Sequence, residues 1–451
     1  MGALASAANW AELGGIGHAW RELEVASWVV WSLFVFAFGA SLGSFMNVVA
    51  WRLPRGGSIV SPPSRCPTCA GRLSWRENLP VLGWLLLRGR CRFCGERIGV
   101  QYLLVELLLG GLFVAAFLMF YLPDASDWWA AGTDGWWATR QLGGSWPGLL
   151  VVLTMFSLLL PITLIDARTF LIPLSLTLWI AGVAAAMWTV QALLPLPWRV
   201  PLDSPPVPLA MVPPAIAGAA FGGVLGTGVL AVLLWTDRIR PSFADYDAFV
   251  EEGETLGDYP HARREALREL LHLTPILAGA GLGWWFASGF GAPASEGELP
   301  SWVGALAAVS TGYLVGAGLV WSVRILGTLA FGREAMGLGD VHLLGAIGAA
   351  LGWIDAAAVF FVAPFLGLAW AGAAALLGAG MLGDRFRHFG ERVRTMPYGP
   401  HLAVAAVLVV LVRPVFVEVW RVLMPPHDSL GPPARFTGIP PDGSMTPAVV
   451  R

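Results

Sequence analysis

Charge is scarce in this sequence. Only 13% of its 451 residues are Asp, Glu, Lys or Arg, whereas 56% are hydrophobic, and the mean hydropathy is +0.66. So much apolar surface cannot be hidden in one soluble core, so a bilayer must act as solvent for most of the chain. A net charge of −2 supplies no basic field for a phosphate backbone, and no nucleic-acid partner is expected. The apolar runs do not alternate, which argues against a transmembrane barrel. No cleavable leader is expected either: the first 25 residues carry Glu12, Arg21, Glu22 and Glu24 and lack a basic start followed by an apolar stretch, so the first apolar run should remain as a span. No internal repeat is visible, and cysteine is limited to four residues.

What is present is a series of apolar runs near the roughly 18 to 20 residues that a helix needs to cross the hydrocarbon core. They fall near 26–50, 101–121, 148–165, 172–195, 209–235, 273–290, 302–330, 341–353, 356–382 and 400–424. The fold class expected is therefore an all-α polytopic membrane protein with about ten transmembrane helices. The 23 Trp residues suit interfacial belts and helix packing. Between 51 and 100 lie Arg52, Arg55, Arg65, Arg72, Arg76, Arg88, Arg90, Arg92 and Arg97 against only Glu77 and Glu96, so the positive-inside rule puts this segment in the cytoplasm. The loop at 122–147, with Asp124, Asp127 and Asp134 against Arg140, then lies outside. The loops near 166, 236–272, 331–340 and 383–399 lie inside, in agreement with Arg385, Arg387, Arg392 and Arg394. A solvated helix is expected around His261 to His272, and the Pro- and Gly-rich residues 425–451 read as a disordered tail.

All four cysteines fall in one Arg-rich loop, as Cys66-Pro67-Thr68-Cys69 and Cys91-Arg92-Phe93-Cys94. Two such knuckles each present a pair of sulfurs from one tight turn, as a tetrahedral zinc site requires. The alternatives are two disulfides, disfavoured on the reducing side of a membrane, or four idle thiols. Four closed ligands with no open position would make the zinc structural. The surrounding arginines are accounted for by solvent and lipid head groups.

An ionisable residue in or beside a membrane span is costly and so is a functional candidate. Asp166, in Leu164-Ile165-Asp166-Ala167-Arg168, ends the third run, and Asp340, in Gly337-Leu338-Gly339-Asp340, precedes the eighth. The charge-derived topology puts both at the cytoplasmic face. Two carboxylates brought together can share a proton, one acting as base toward water and the other as acid toward a carbonyl. In the plainer reading, Asp166 pairs with Arg168 and Asp340 caps the helix that follows it. Asp237 and Asp355 are similar interfacial acids for which a cap or surface role reads better. A proton-relay role in a transporter is a further alternative.

Four motifs in order resemble the type IV prepilin peptidase family, membrane aspartic proteases that act as leader peptidase and N-methyltransferase on pilins and on the pseudopilins of type II secretion. They are Gly43-Ser44-Phe45-Met46-Asn47-Val48-Val49 leading to Arg52-Leu53-Pro54; the stretch from Arg65 through the two Cys pairs, with Trp75, Asn78, Leu79, Pro80, Val81, Arg88, Gly89 and Arg90, on to Glu106; the Ile165-Asp166 and Gly-x-Gly-Asp340 pair; and Pro397-Tyr398-Gly399-Pro400. The resemblance implies that Asp166 and Asp340 are catalytic and that Cys66, Cys69, Cys91 and Cys94 hold structural zinc. It implies a bacterial inner-membrane enzyme that cleaves prepilin or pseudopilin leaders at the cytoplasmic face, and in many members methylates the new amino terminus with S-adenosylmethionine. No glycine-rich cofactor motif stands out.

The chain departs from the family in three places. His342 stands where Lys is frequent, Pro173-Leu174 where Pro-Asp is frequent, and Asp340 lies unusually far beyond Asp166. An imidazole at a helix start is expected to be a local hydrogen-bonder. The expected organisation is an amino-terminal segment and first helix (1–50), a zinc-binding loop domain (51–100), helices carrying the first aspartate (101–195), an insertion with two extra spans and a charged loop (196–300), helices carrying the second aspartate (301–424), and the tail (425–451). A catalytically silent zinc-containing scaffold and a carboxylate-dependent transporter are the rival readings.

Overall fold

The computed structural model describes residues 6–122, 135–198, 200–201, 204–245, 259–289, 299–381 and 397–413. Among these residues the regular structure is helical apart from two isolated β-bridges in the cysteine loop. In chain order the helices are α1 (Ser6–Arg52), α2 (Leu82–Leu86), α3 (Val100–Tyr121), α4 (Trp136–Thr169), α5 (Leu174–Leu193), α6 (Pro214–Trp235), α7 (Ala262–Gly289), α8 (Ser301–Phe331), α9 (Leu338–Leu351), α10 (Trp353–Met381) and α11 (Gly399–Leu411). Eight are long and apolar enough to cross a membrane, and α9 and α11 are shorter apolar helices. The ten expected runs correspond to these ten elements, and the protein is a multi-pass membrane protein.

The short α9 lies at the centre. Its residues from Asp340 to Ala350 are nearly all buried, the pattern of a helix surrounded by protein on every side. Tight backbone approach puts it there: a Cβ on Gly312 of α8 would lie 2.0 Å from the Gly348 carbonyl oxygen, so only glycine permits the contact. On its other side, the Trp188 indole of α5 donates to the Ala350 carbonyl at 3.0 Å. The α6–α7 hairpin, within the expected insertion, uses the same device. Gly218, Gly222 and Gly226 repeat every four residues, and a Cβ on Gly222 would meet the Gly279 carbonyl oxygen at 2.0 Å.

Three expectations need correction, and one element is longer than expected. α1 begins at Ser6, and its span Glu22–Arg55 contains the apolar run expected at 26–50. The helix expected to be solvated around His261 to His272 is the first part of α7, and it buries Glu265, Glu269 and His272. Arg140, expected in an outer loop, is a buried residue of α4. It stacks 4.5 Å over the Trp136 ring and donates to the Pro205 carbonyl at 2.8 Å and to Ser204 at 3.1 Å. Asp355 is buried in the first turn of α10, 3.3 Å from an Arg413 nitrogen. Asp124, Asp127, Asp134, the arginines at 385–394 and the tail at 425–451 lie outside the described residues.

Candidate active site

The cysteine module is two copies of one turn. Cys66 and Cys91 each receive a backbone N–H four residues on, from Ala70 and Gly95 at 2.9 Å, and donate their own to Gly71 and Glu96 at 2.9 and 2.8 Å. Ala70 and Gly95 adopt the same left-handed conformation, with φ of 55° and 73°. The bridges Arg65↔Arg72 and Arg90↔Arg97 close each turn.

The four sulfurs lie within 4.8 Å of one another. Cys66 and Cys94 are 3.8 Å apart, Cys69 and Cys91 4.0 Å, and all four are free of disulfides. A tetrahedron with metal–sulfur bonds of about 2.3 Å has edges of about 3.8 Å, so this cluster can hold one four-coordinate metal ion. The N–H groups of Cys69 and Thr68 pull the Cys66 thiol down to about 6. At Cys94 the Glu96 N–H pulls downward too, yet burial and the neighbouring sulfurs push that thiol up to about 12. All four sulfurs could therefore ionise together only around a bound cation.

Polar contacts brace the module, and one, from the buried Glu106, fastens it to the bundle. Glu106 of α3 accepts the N–H of Val81 at 2.7 Å, at a residue held at φ 63°. Arg52, ending α1, donates to the Ser58 and Pro62 carbonyls at 3.0 and 2.8 Å. Glu77 accepts the Ser74 N–H at 2.7 Å, which holds its carboxyl below the usual range, and meets Arg92 of the second knuckle at 3.4 Å. A cavity of about 340 Å³ opens between module and helices, lined by Asn47, Glu77, Trp84, Tyr102 and Glu106 among others.

Asp166 and Asp340 come together at the same end of the bundle. Arg168, two residues beyond Asp166, donates to Gln101 at the start of α3, which puts this end of α4 beside the module. The expected alternative of an Asp166–Arg168 pair is therefore not what the structure shows. Asp166 is buried and accepts the N–H of Gly399, the first residue of α11, at 3.1 Å. A Cβ on Gly399 would lie 2.6 Å from that carboxylate, so glycine is required there. Asp340 is not the cap of α9, which is Gly337. It sits in the first turn, buried, and its Oδ1 has no hydrogen-bond partner in the protein.

Ile172 packs against both Gly339, which precedes Asp340, and Gly399, whose N–H holds Asp166, so one side chain ties together the segments that carry the two acids. Burial, with a smaller contribution from Asp340, pushes the Tyr398 hydroxyl up to about 12. Asp355 begins α10, beyond the opposite end of α9, roughly 20 Å away at 1.5 Å per residue, and Asp237 is exposed. Neither joins the pair. His342 hydrogen-bonds Tyr313 at 3.2 Å, the local role expected of it.

In the sequence Gly399 stands out only within its motif, and nothing there says that its N–H holds Asp166. Arg324 is a single cation inside the apolar run of α8. That placement was itself a signal, since a charge in a span needs a partner.

This arrangement defines a polytopic helical membrane protein with a paired-carboxylate site and a four-cysteine module at one end. The family model "Bacterial Peptidase A24 N-terminal domain" matches residues 37–120. The chain is 43% identical over 159 residues to the prepilin leader peptidase/N-methyltransferase of Myxococcus xanthus (strain DK1622), a match covering 35% of this chain and 41% of that protein. It is 40% identical over 156 residues to the protein of the same name from Klebsiella pneumoniae, covering 33% of this chain and 58% of that one. The chain thus spans about half the length of these curated relatives. A longer, weaker match to the Aeromonas hydrophila protein of that name, 26% identical over 415 residues, covers 86% of this chain and 94% of that protein. No solved structure gives a significant match. Residues 37–120 are thus similar to the amino-terminal domain of the bacterial A24 peptidases.

Proposed function

We propose that this protein is a prepilin leader peptidase in which Asp166 and Asp340 together cleave the leader of a type IV prepilin or a type II secretion pseudopilin. The observation that carries the reading is the buried carboxylate pair, assembled from α4, α9 and the Tyr398-Gly399 turn. One carboxylate, ionised, takes a proton from water as its oxygen attacks the scissile carbonyl carbon. The other, protonated, hydrogen-bonds the carbonyl oxygen. As the C–N bond breaks, a proton passes to the departing amine. The unpartnered Oδ1 of Asp340 is an acceptor free for that water or for a substrate N–H, and leaving it unpaired costs about 1–3 kcal/mol. The Gly399 N–H fixes Asp166 without filling its second oxygen. We place this end of the bundle in the cytoplasm, on the strength of the nine arginines between 51 and 100.

Zinc is the metal that best suits four cysteine sulfurs at tetrahedral spacing, and a closed ligand set gives it a structural role. Cys66, Cys69, Cys91 and Cys94 would hold it, and its charge would fold the module against α1 and α3. Methylation of the new amino terminus with S-adenosylmethionine is the second activity in the relatives' names. The cavity beside the module, with Glu77 and Glu106 for a cationic ligand and Trp84 and Tyr102 for a flat ring, has the chemistry for it. A midplane transporter site fits less well, because both acids lie at one end of the bundle.

The test is incubation of the purified protein in detergent with a prepilin and labelled S-adenosylmethionine. Leader removal is expected, and its absence with a range of prepilins and pseudopilins would leave the silent-scaffold reading in its place. Label on the cleaved product would establish methylation, and a free amine under saturating cofactor would restrict the function to proteolysis.

A further inference from the structure

Arg324 of α8 is 3% exposed in a helix that otherwise reads as a span. Its Nε donates to both carboxylate oxygens of Glu269 on α7, at 2.9 and 3.0 Å, and its Nη2 lies 2.8 Å from the same group. Its Nη1 donates to Glu334 and to the Met336 carbonyl. Glu269 is itself buried and also accepts from the Trp321 indole and the Ser242 hydroxyl, each at 2.9 Å. One guanidinium therefore joins the α6–α7 hairpin to the loop at 333–337. That loop runs directly into Gly337-Leu338-Gly339-Asp340, and a Cβ on Gly337 would lie 3.2 Å from the Asp340 carboxylate. The same loop is held a second time where the Ala335 N–H donates to Thr328 of α8 at 3.1 Å.

We propose that Glu269 and Arg324 are positioning residues through which the α6–α7 hairpin holds the loop at 333–337, and with it the Asp340 carboxylate, in register with Asp166. The inference rests on the reading of these two acids as the reacting pair. A planar, forked cation is needed because three acceptors lie in different directions around it, and a lysine ammonium on a flexible stem cannot serve all of them at once. Glu269 balances the buried charge and fixes the plane of the guanidinium. With that plane fixed, the opposite edge can reach only the loop. The hairpin thus acts on the site without touching substrate.

The experiment uses the full-length protein in detergent and measures amide hydrogen exchange together with prepilin cleavage. Glu269→Gln keeps the shape of the side chain and removes its charge. It should speed exchange at residues 333–340 by roughly tenfold or more, as expected for a released local unit, and leave exchange at residues 64–98 unchanged. The kcat should fall on the order of 10- to 100-fold with KM within about twofold, because misplacing a reacting group affects the chemical step. Glu269→Asp should recover part of that loss, and Arg324→Lys should not reproduce wild-type behaviour. Glu334→Gln cuts the loop side of the same guanidinium while leaving Glu269 paired, and serves if the Glu269 variant does not fold. The double Glu269→Gln/Glu334→Gln variant should be hardly worse than the more damaging single one. Unchanged exchange at 333–340 in folded Glu269→Gln or Glu334→Gln protein, or strictly additive losses, would overturn the proposal. If the unaltered protein cleaves no prepilin, the functional reading fails, but the exchange measurement still decides whether the hairpin holds the loop.

Discussion

The two sites are built in opposite ways. The four sulfurs come from two copies of a turn in one short loop, and backbone hydrogen bonds within each copy orient them. The aspartates come from different helices, and the N–H that holds Asp166 arrives from Gly399, 233 positions away. The first arrangement is local, its sulfurs brought together by turns within one loop. The second exists only when α4, α9 and α11 are packed, so it depends on every contact that places them, including the glycine approach of α8 to α9. A stable membrane bundle can therefore tolerate loss of one site while keeping the other, and the two should be separable by substitution.

The largest expected separation is chemical. Asp166→Asn or Asp340→Asn should each lower cleavage by roughly 10²–10⁴-fold, the usual worth of a general acid or base, while metal analysis finds content unchanged. Cys69→Ser or Cys94→Ser should do the reverse to the metal, which should fall well below the one ion per chain that four thiolates complete. Metal lost from an aspartate variant, or retained in full by a cysteine variant, would break the distinction between the sites.

A smaller effect should follow from Gly399→Ala. The added methyl would lie 2.6 Å from the Asp166 carboxylate, so either the turn or the acid must move. Turnover should drop on the order of 10- to 100-fold with prepilin binding retained. Full activity in this variant would show that the Gly399 contact does not position Asp166.

These effects bear on what could be read before the fold was known. The spans were readable because apolar runs of membrane length have few other uses, and the cysteine knuckles because their function lies in their spacing. The charge-derived topology put Asp166 and Asp340 at one face, but nothing local to either says that they meet, and the resemblance was needed to choose pairing over the cap and ion-pair alternatives. The beginning of α7 was misread for a physical reason: mixed charge signals solvent when each charge is counted alone. Here Glu265 meets Arg268 at 2.5 Å and Glu269 meets Arg324 at 2.8 Å, so both acids are paired and buried. Arg140 misled in the same way, being buried under Trp136 and the Pro205 carbonyl.

Acid should separate the sites gradually. Protons compete with a metal for thiolate sulfur, and the Cys66 thiol, drawn down by the Cys69 and Thr68 N–H groups, is the last of the cluster to take one up. Metal should therefore be kept at neutral pH and released progressively as pH falls into the acid range, as followed with a chromogenic chelator. Release already beginning at pH 8 would contradict the closed cluster. The smallest perturbation is a label. With the native cysteine cluster kept unreactive, a cysteine placed at Thr139, near the end of α4 far from the module, should react with an impermeant thiol reagent on intact cells. One placed at Ala335 should not, and the opposite pattern would reverse the assigned orientation.

The central claim is that Asp166 and Asp340 act as one unit, and the most direct measurement is the double substitution. Residues that serve the same proton-transfer step do not contribute independent increments. Cleavage of a prepilin by Asp166→Asn/Asp340→Asn protein should therefore be hardly slower than by either single variant, with substrate binding retained in all three. If the two losses multiplied, or if Asp166→Asn retained near-normal turnover while Asp355→Asn abolished it, the pair would not be the reacting centre.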